Sequence, residues 1–200
     1  RFGRDKTIVG IWEGLQLVDI VDYTKQDLVT TAASIDNLAR LHKVGRSRII
    51  VDEGGVGGGV VDILRGCTAF NGAAKAIDVG GKDQNYRNLR AQCYYVLSDH
   101  VNDRSIGIDP ELSQYRVELS MELEAMRRVE DLADGKLKVI SKDEVKEALG
   151  RSPDLADMLM MRMYYELRGT GVSLDFAANR GSKIIRQRNH DALVKYWKRQ

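Results

Sequence analysis

The sequence predicts a single α/β domain built on a mixed sheet with helices on its faces. Three observations lead there. A β-branched and aromatic hairpin near the start is followed by a run with helical spacing; an apolar strand ends on an acid and passes through a glycine-rich loop into a helix and another strand; and 200 residues, 43% hydrophobic and 30% charged, suffice for one domain with its own core.

The elements follow in order. Thr7 to Glu13 (T-I-V-G-I-W-E) and Leu15 to Tyr23 read as two strands of a hairpin turning at Glu13-Gly14. Leu28, Ala32, Ile35, Leu38 and Ala39 recur at near-helical spacing, which predicts a helix over Asp27 to Lys43, ended by Gly45. Ser47 to Asp52 is a short apolar strand, Gly54 to Gly59 a loop, Val60 to Leu64 a helix and Cys67 to Phe70 a strand. Asn85 to Val101 is a longer helix. Pro110 to Asp134 is rich in helix formers, although Tyr115 to Leu119 also fits a strand. Leu137 to Ile140 is a strand, and Lys142 to Leu149 a helix closed by Gly150. The last helix opens at Ser152-Pro153, with Ser152 as N-cap, Pro153 in the first helical position and Asp154 in the first turn.

The net charge of +2 is unevenly distributed. Asp175 to Gln200 holds seven Lys/Arg against two acids, a balance of +5, which leaves −3 for the rest of the chain. This divides the sequence into a body over residues 1–170 and a basic tail over 171–200, a tail able to neutralise phosphates. Cys67 and Cys93 lack a C-x-x-C or nearby histidines and are expected to be reduced and buried; His42, His100 and His190 share no zinc-type spacing. No G-x-x-x-x-G-K-[ST] is present, which excludes that phosphate-binding loop, and no apolar run is long enough to span a bilayer. The start, Arg1-Phe2-Gly3-Arg4-Asp5, resembles no signal peptide and reads as part of a longer protein.

Three acidic features could carry chemistry. V-D-E-G-G-V-G-G-G-V-V-D at Val51 to Asp62 sets Asp52 at the C-terminal end of a strand, the edge where α/β sheets place ligands. R-S-P-D-L-A-D at Arg151 to Asp157 puts Asp154 and Asp157 on one helix face. Asp5 lies just before the first strand. Carboxylates gathered without His, Cys or Ser partners repel one another unless a cation neutralises them, and oxygen-only sites suit Mg²⁺ or Mn²⁺. Two such ions can activate water and stabilise a leaving oxygen, which points to phosphoryl chemistry on a polyanion.

The glycine block at Val51 to Gly66, F-N-G-A-A-K-A at Phe70 to Ala76, Y-R-N-L-R-A-Q at Tyr86 to Gln92 and G-R-S-P-D-L-A-D at Gly150 to Asp157, in this order, resemble the C-terminal nuclease domain of the large terminase subunit of tailed bacteriophages. R-F-G-R-D-K-T at the start is similar to that family's first-strand motif. The resemblance covers roughly Arg1 to Met163. It implies an RNase H-like, RuvC-type mixed sheet flanked by helices on both faces. It further implies an endonuclease that cuts concatemeric viral DNA in the host cytoplasm during genome packaging.

By the same resemblance Asp52, Asp157 and Asp5 are the catalytic acids, and Asp52, Asp157 and Asp154 the ligands of a two-metal Mg²⁺ or Mn²⁺ site. Lys75, Arg87, Arg90, Lys183, Arg186 and Arg188 are the expected DNA contacts. Double-stranded DNA, a portal protein and a small terminase subunit are the implied partners, with no membrane. The family's first-strand aspartate is expected upstream of Arg1, and its packaging ATPase domain is not within these residues. A RuvC-like junction resolvase and a non-catalytic module docking on DNA or a portal are the alternative readings.

Overall fold

A computed structural model describes residues 6–55, 57–79, 85–129 and 135–169. Asp5, Lys183, Arg186, Arg188 and the basic tail lie outside the described residues.

The hairpin forms as read, with strand β1 (Thr7–Glu13) antiparallel to β2 (Gln16–Tyr23). Gly14 takes the left-handed backbone, φ +59°, that the turn requires. Helix α1 (Leu28–Leu41) starts at Asp27, whose carboxylate accepts from the Thr30 N–H at 2.8 Å. The expected strand from Ser47 is shorter than predicted. Arg46–Arg48 form a single 3₁₀ turn, held where Arg46 pairs with Asp36 at 2.8 Å, and strand β3 spans only Ile50–Asp52.

The glycine loop is also shorter than read, because helix α2 (Gly57–Ile63) begins inside it. A Cβ on Gly57 would lie 1.8 Å from the Asp52 carbonyl oxygen, and one on Gly59 would lie 2.7 Å from Leu28 Cδ1. These glycines bring a helix close to β3 and α1, a packing role that periodicity does not reveal. Strand β4 (Thr68–Phe70) pairs in parallel with β3, setting Asp52 opposite Phe70.

Helix α3 (Leu89–Asn102) is capped by Asn88, which accepts from the Ala91 N–H at 2.9 Å. A two-residue strand β5 (Gly107–Ile108), absent from the sequence reading, then pairs in parallel with β2. In the ambiguous region, Pro110–Tyr115 form a 3₁₀ helix and Arg116–Ala125 helix α4. The alternative strand over Tyr115 to Leu119 does not form, since Leu119, Glu122 and Leu123 need helical spacing to face the interior together. Strands β6 (Arg128–Val129) and β7 (Lys138–Val139) pair antiparallel. Helix α5 (Lys142–Leu149) opens with a capping box between Ser141 and Glu144 and ends at Gly150 with φ +70°.

Helix α6 (Asp154–Leu167) begins one residue later than expected. Pro153 occupies the N-cap position, and Ser152 is buried without capping the helix. The reason is tertiary. Arg151 donates to the Ser152 carbonyl at 3.0 Å, and a carboxylate from α4 takes the Ala156 N–H that a capping side chain would otherwise satisfy.

The expected mixed sheet is present in pieces. One sheet has the order β1-β2-β5, with antiparallel and parallel pairs, and the β3-β4 and β6-β7 pairs stand apart. Among the described residues β1 and β3 are each the outer strand of their sheet. Both border an apolar groove of about 490 Å³, walled also by Leu28 and Ile35 of α1 and Met158 and Met161 of α6.

The main core joins Leu17, Phe70, Cys93, Leu97, Leu155 and Met163, with a smaller cluster of Ala32, Ile35, Val60 and Leu64 beneath α1 and α2. Helix α6 packs on α3, α4, β1 and β3. Its later residue Tyr165 reaches the Ser47 carbonyl ahead of β3, so α6 runs counter to β3 and its first turn arrives beside the strand's C-terminal end. Asp52 and Asp157 meet there.

Candidate metal centre

Asp52 ends β3 where the chain turns away from the sheet. Its Oδ1 accepts from the Gly54 N–H at 3.0 Å, an Asx turn that directs Oδ2 outward. Asp157 sits in the first turn of α6, only 7% exposed. Its Oδ1 accepts from the Tyr94 hydroxyl of α3 at 2.8 Å. Lys142, the first residue of α5, joins the two acids, with Nζ 3.2 Å from Asp52 Oδ2 and 3.0 Å from Asp157 Oδ2.

Lys142 is the residue that sequence reasoning missed. A lysine in the first turn opposes the helix dipole, and the Ser141 to Glu144 capping box marks that turn, so an unfavourable charge there was a legible hint of a carboxylate partner elsewhere. Burial disfavours the Lys142 ammonium, but attraction from Asp157 and then Asp52 outweighs it and lifts the pKa above that of an ordinary lysine.

Behind Asp157 lies a second ionic cluster. Glu122 of α4 is fully buried and takes the Ala156 N–H on Oε2 at 2.8 Å, while its Oε1 pairs with Arg151. Arg151 also meets Glu118 at 3.3 Å. Burial raises the Glu122 pKa, with Arg151 and the Ala156 N–H pulling against it.

The acids open on a cleft of about 670 Å³. Of the expected DNA contacts, Arg87 and Arg90 line it and Lys75 does not; Lys75 is exposed on the segment between β4 and α3. Arg87 is exposed. Arg90 is committed inward, donating to the Ile140 carbonyl at 2.8 Å with its guanidinium 5.1 Å from the Tyr94 ring centroid. Lys138 of β7 also lines the cleft.

Asp154 is not on that wall. It lies half-buried, and its charge acts on Arg151. Among the described residues no cluster of three or more acids, histidines or cysteines forms a metal cage.

Two carboxylates do fit a hard cation. Mg²⁺ keeps several waters and is commonly held by one or two carboxylates plus substrate phosphates. The ammonium between Asp52 and Asp157 marks the point where their combined charge attracts a positive group. No helix among the described residues is long and apolar enough to cross a membrane.

The fold is shared with solved structures. The chain is similar to the nuclease domain of the large terminase subunit gp2 of bacterial virus Sf6, at 26% identity and a TM-score of 0.68, with 80% of this chain and 83% of that one covered. A point mutant of that domain with manganese and β-thujaplicinol matches at 26% identity and a TM-score of 0.67 over the same shares. A mutant with calcium matches at 27% and 0.68, again over 80% and 83%. No protein-family model matches the chain, and no curated protein does.

Proposed function

We propose that this chain is a divalent-metal-dependent endodeoxyribonuclease that cleaves concatemeric viral DNA during genome packaging. The observation that carries the reading is the meeting of Asp52 and Asp157, 105 positions apart in sequence, on the single ammonium of Lys142 at the mouth of a cleft. Likeness to a phage terminase nuclease domain over four fifths of the chain supports it, as do the manganese and calcium found with that relative. An RNase H-like, RuvC-type sheet with helices on both faces is the fold this reading implies.

Asp52 and Asp157 would hold Mg²⁺ or Mn²⁺, which when bound supplies the charge that activates a water and stabilises the leaving oxygen of the phosphodiester, with a second ion as in other two-metal sites. The Gly54 N–H and the Tyr94 hydroxyl orient the two carboxylates, each by the oxygen facing away from Lys142. Arg87 and Lys138 flank the approach and suit phosphate contacts that position a duplex without reading its bases. Asp154 is assigned to the α6 terminus, next to Arg151, and not to the first ligand pair. Asp5, Lys75 and the tail residues Lys183, Arg186 and Arg188 remain proposed contributors, as do a portal protein, a small terminase subunit, an ATPase domain elsewhere in the protein and action in the host cytoplasm.

The test is nicking of supercoiled plasmid in Mn²⁺ against EDTA. Expected is nicking in Mn²⁺ alone, lost in Asp52→Ala and in Asp157→Ala. Nicking that survives both substitutions overturns the site. Preferential cutting of four-way junctions identifies a resolvase, and DNA binding without cleavage identifies a docking module.

A further inference from the structure

Asp157 is held more elaborately than a surface acid in a first helical turn needs to be. The helix that carries it has no side-chain cap of its own. Glu122 supplies one from α4, taking the N–H of Ala156, the residue immediately before Asp157. Glu122 is itself fixed by Arg151, which also ties down the Ser152 carbonyl and Glu118. Tyr94 of α3, buried and 6% exposed, donates to Asp157 Oδ1, which leaves Oδ2 to the Lys142 ammonium shared with Asp52.

A backbone anchor and a side-chain anchor, from two different helices, thus converge on adjacent residues. The neighbouring Tyr95 makes a useful contrast, because its buried hydroxyl finds no partner among the described residues. The hydroxyl of Tyr94 does find one, and it is a carboxylate of the proposed site.

We infer that Tyr94 and Glu122 are positioning residues of the metal centre: together they fix the place and rotation of the Asp157 carboxylate so that it meets a cation jointly with Asp52. The inference rests on the reading of Asp157 as a metal ligand. Groups that orient ligating carboxylates and imidazoles from behind typically change metal affinity or activity about 10- to 100-fold when removed. A buried tyrosine that merely satisfies its hydroxyl would leave that affinity unchanged.

The experiment is Mn²⁺ titration of the whole chain, followed by electron paramagnetic resonance of free Mn²⁺, with thermal unfolding measured alongside. Tyr94→Phe is expected to weaken Mn²⁺ binding about tenfold. Tyr95→Phe is expected to leave it within twofold, although it alters the same helix. Glu122→Ala is expected to weaken binding by a similar factor, and Glu122→Gln, which keeps an oxygen for the Ala156 N–H, to restore most of it.

Tyr94→Phe and Glu122→Ala that both bind Mn²⁺ as tightly as wild type, while Asp157→Ala does not, overturn the positioning roles and leave the ligand assignment standing. Wild type and Asp157→Ala binding Mn²⁺ alike overturns both. If Tyr94→Phe does not fold, the Glu122 pair decides by itself, since failure of Gln to restore what Ala removes contradicts the inference.

Discussion

The Lys142 ammonium lies 3.0 Å from the Asp157 carboxylate, linking the first residue of α5 to the first turn of α6. That contact places a fixed positive charge where a divalent cation would sit, so cation and lysine should compete. Lys142→Ala is expected to tighten Mn²⁺ binding and, in EDTA, to destabilise the fold. Loss of a buried partner costs about 3–5 kcal/mol, and with the Lys142 side chain 42% exposed a cost of about 1–2 kcal/mol is expected. Urea unfolding in EDTA and in Mn²⁺ checks this: the deficit should shrink when the metal is present.

Glu122 should leave a signature in the pH dependence of stability. Its pKa in the fold is raised above the ordinary 4.5, chiefly by burial, so the folded state holds its proton to higher pH than the unfolded state does. This group's contribution is therefore most favourable below pH 4.5 and declines as pH rises through the raised value. Glu122→Gln removes that decline. The stability difference between Gln variant and wild type should shift in favour of Gln from pH 4 towards pH 7, read from urea midpoints; a difference independent of pH would contradict the assignment.

Arg87 and Arg90 face the same cleft with different commitments, and DNA binding should separate them. Arg87→Ala is expected to lower the slope of log Kd against log salt by about one unit, as for a single lost phosphate contact. Arg90 is engaged with the Ile140 carbonyl and the Tyr94 ring, so Arg90→Ala should instead cost about 1–2 kcal/mol of stability. Fluorescence anisotropy with a short duplex at several KCl concentrations, beside thermal unfolding of each variant, distinguishes the two outcomes.

Glycine substitutions in α2 should be graded by what stands opposite. A Cβ on Gly57 would meet the Asp52 backbone oxygen at 1.8 Å, whereas one on Gly58 would meet the Glu53 oxygen at 3.2 Å. Gly57→Ala is expected to cost about 3 kcal/mol and to weaken Mn²⁺ binding by displacing Asp52, with Gly58→Ala near neutral because alanine favours the helix. Chemical denaturation of both variants tests the order.

The regular elements were largely legible because their signals are local. The β-branched and aromatic runs around the Glu13-Gly14 turn, the helical spacing within Asp27 to Lys43 and the Gly150 stop each act within a few residues of chain. The misreadings share a cause as well. The Ser47 strand gave way to a turn held by an Arg46 to Asp36 ion pair, and the late start of α6 reflects a cap donated by Glu122, 34 positions from Ala156. Strand β5, only two residues long, exists because β2 accepts it as a neighbour.

The site divides along the same line. The acid at a strand's end and the acid in a helix's first turn were visible as Asp52 and Asp157, because residue type and position along an element are properties of the chain alone. By itself the sequence determined most of the helices and strands, the carboxylate chemistry available and the resemblance that names a nuclease. Only the tertiary structure decided that α6 runs counter to β3 and brings those acids to one place, that Lys142 bridges them, that Tyr94 meets Asp157 while Glu122 takes the neighbouring Ala156 N–H, and that Asp154 is not among the residues lining the cleft. Such relationships depend on through-space electrostatics and on the packing of buried groups, which join positions from 15 to 105 residues apart around Asp157 and leave no periodic trace in the sequence.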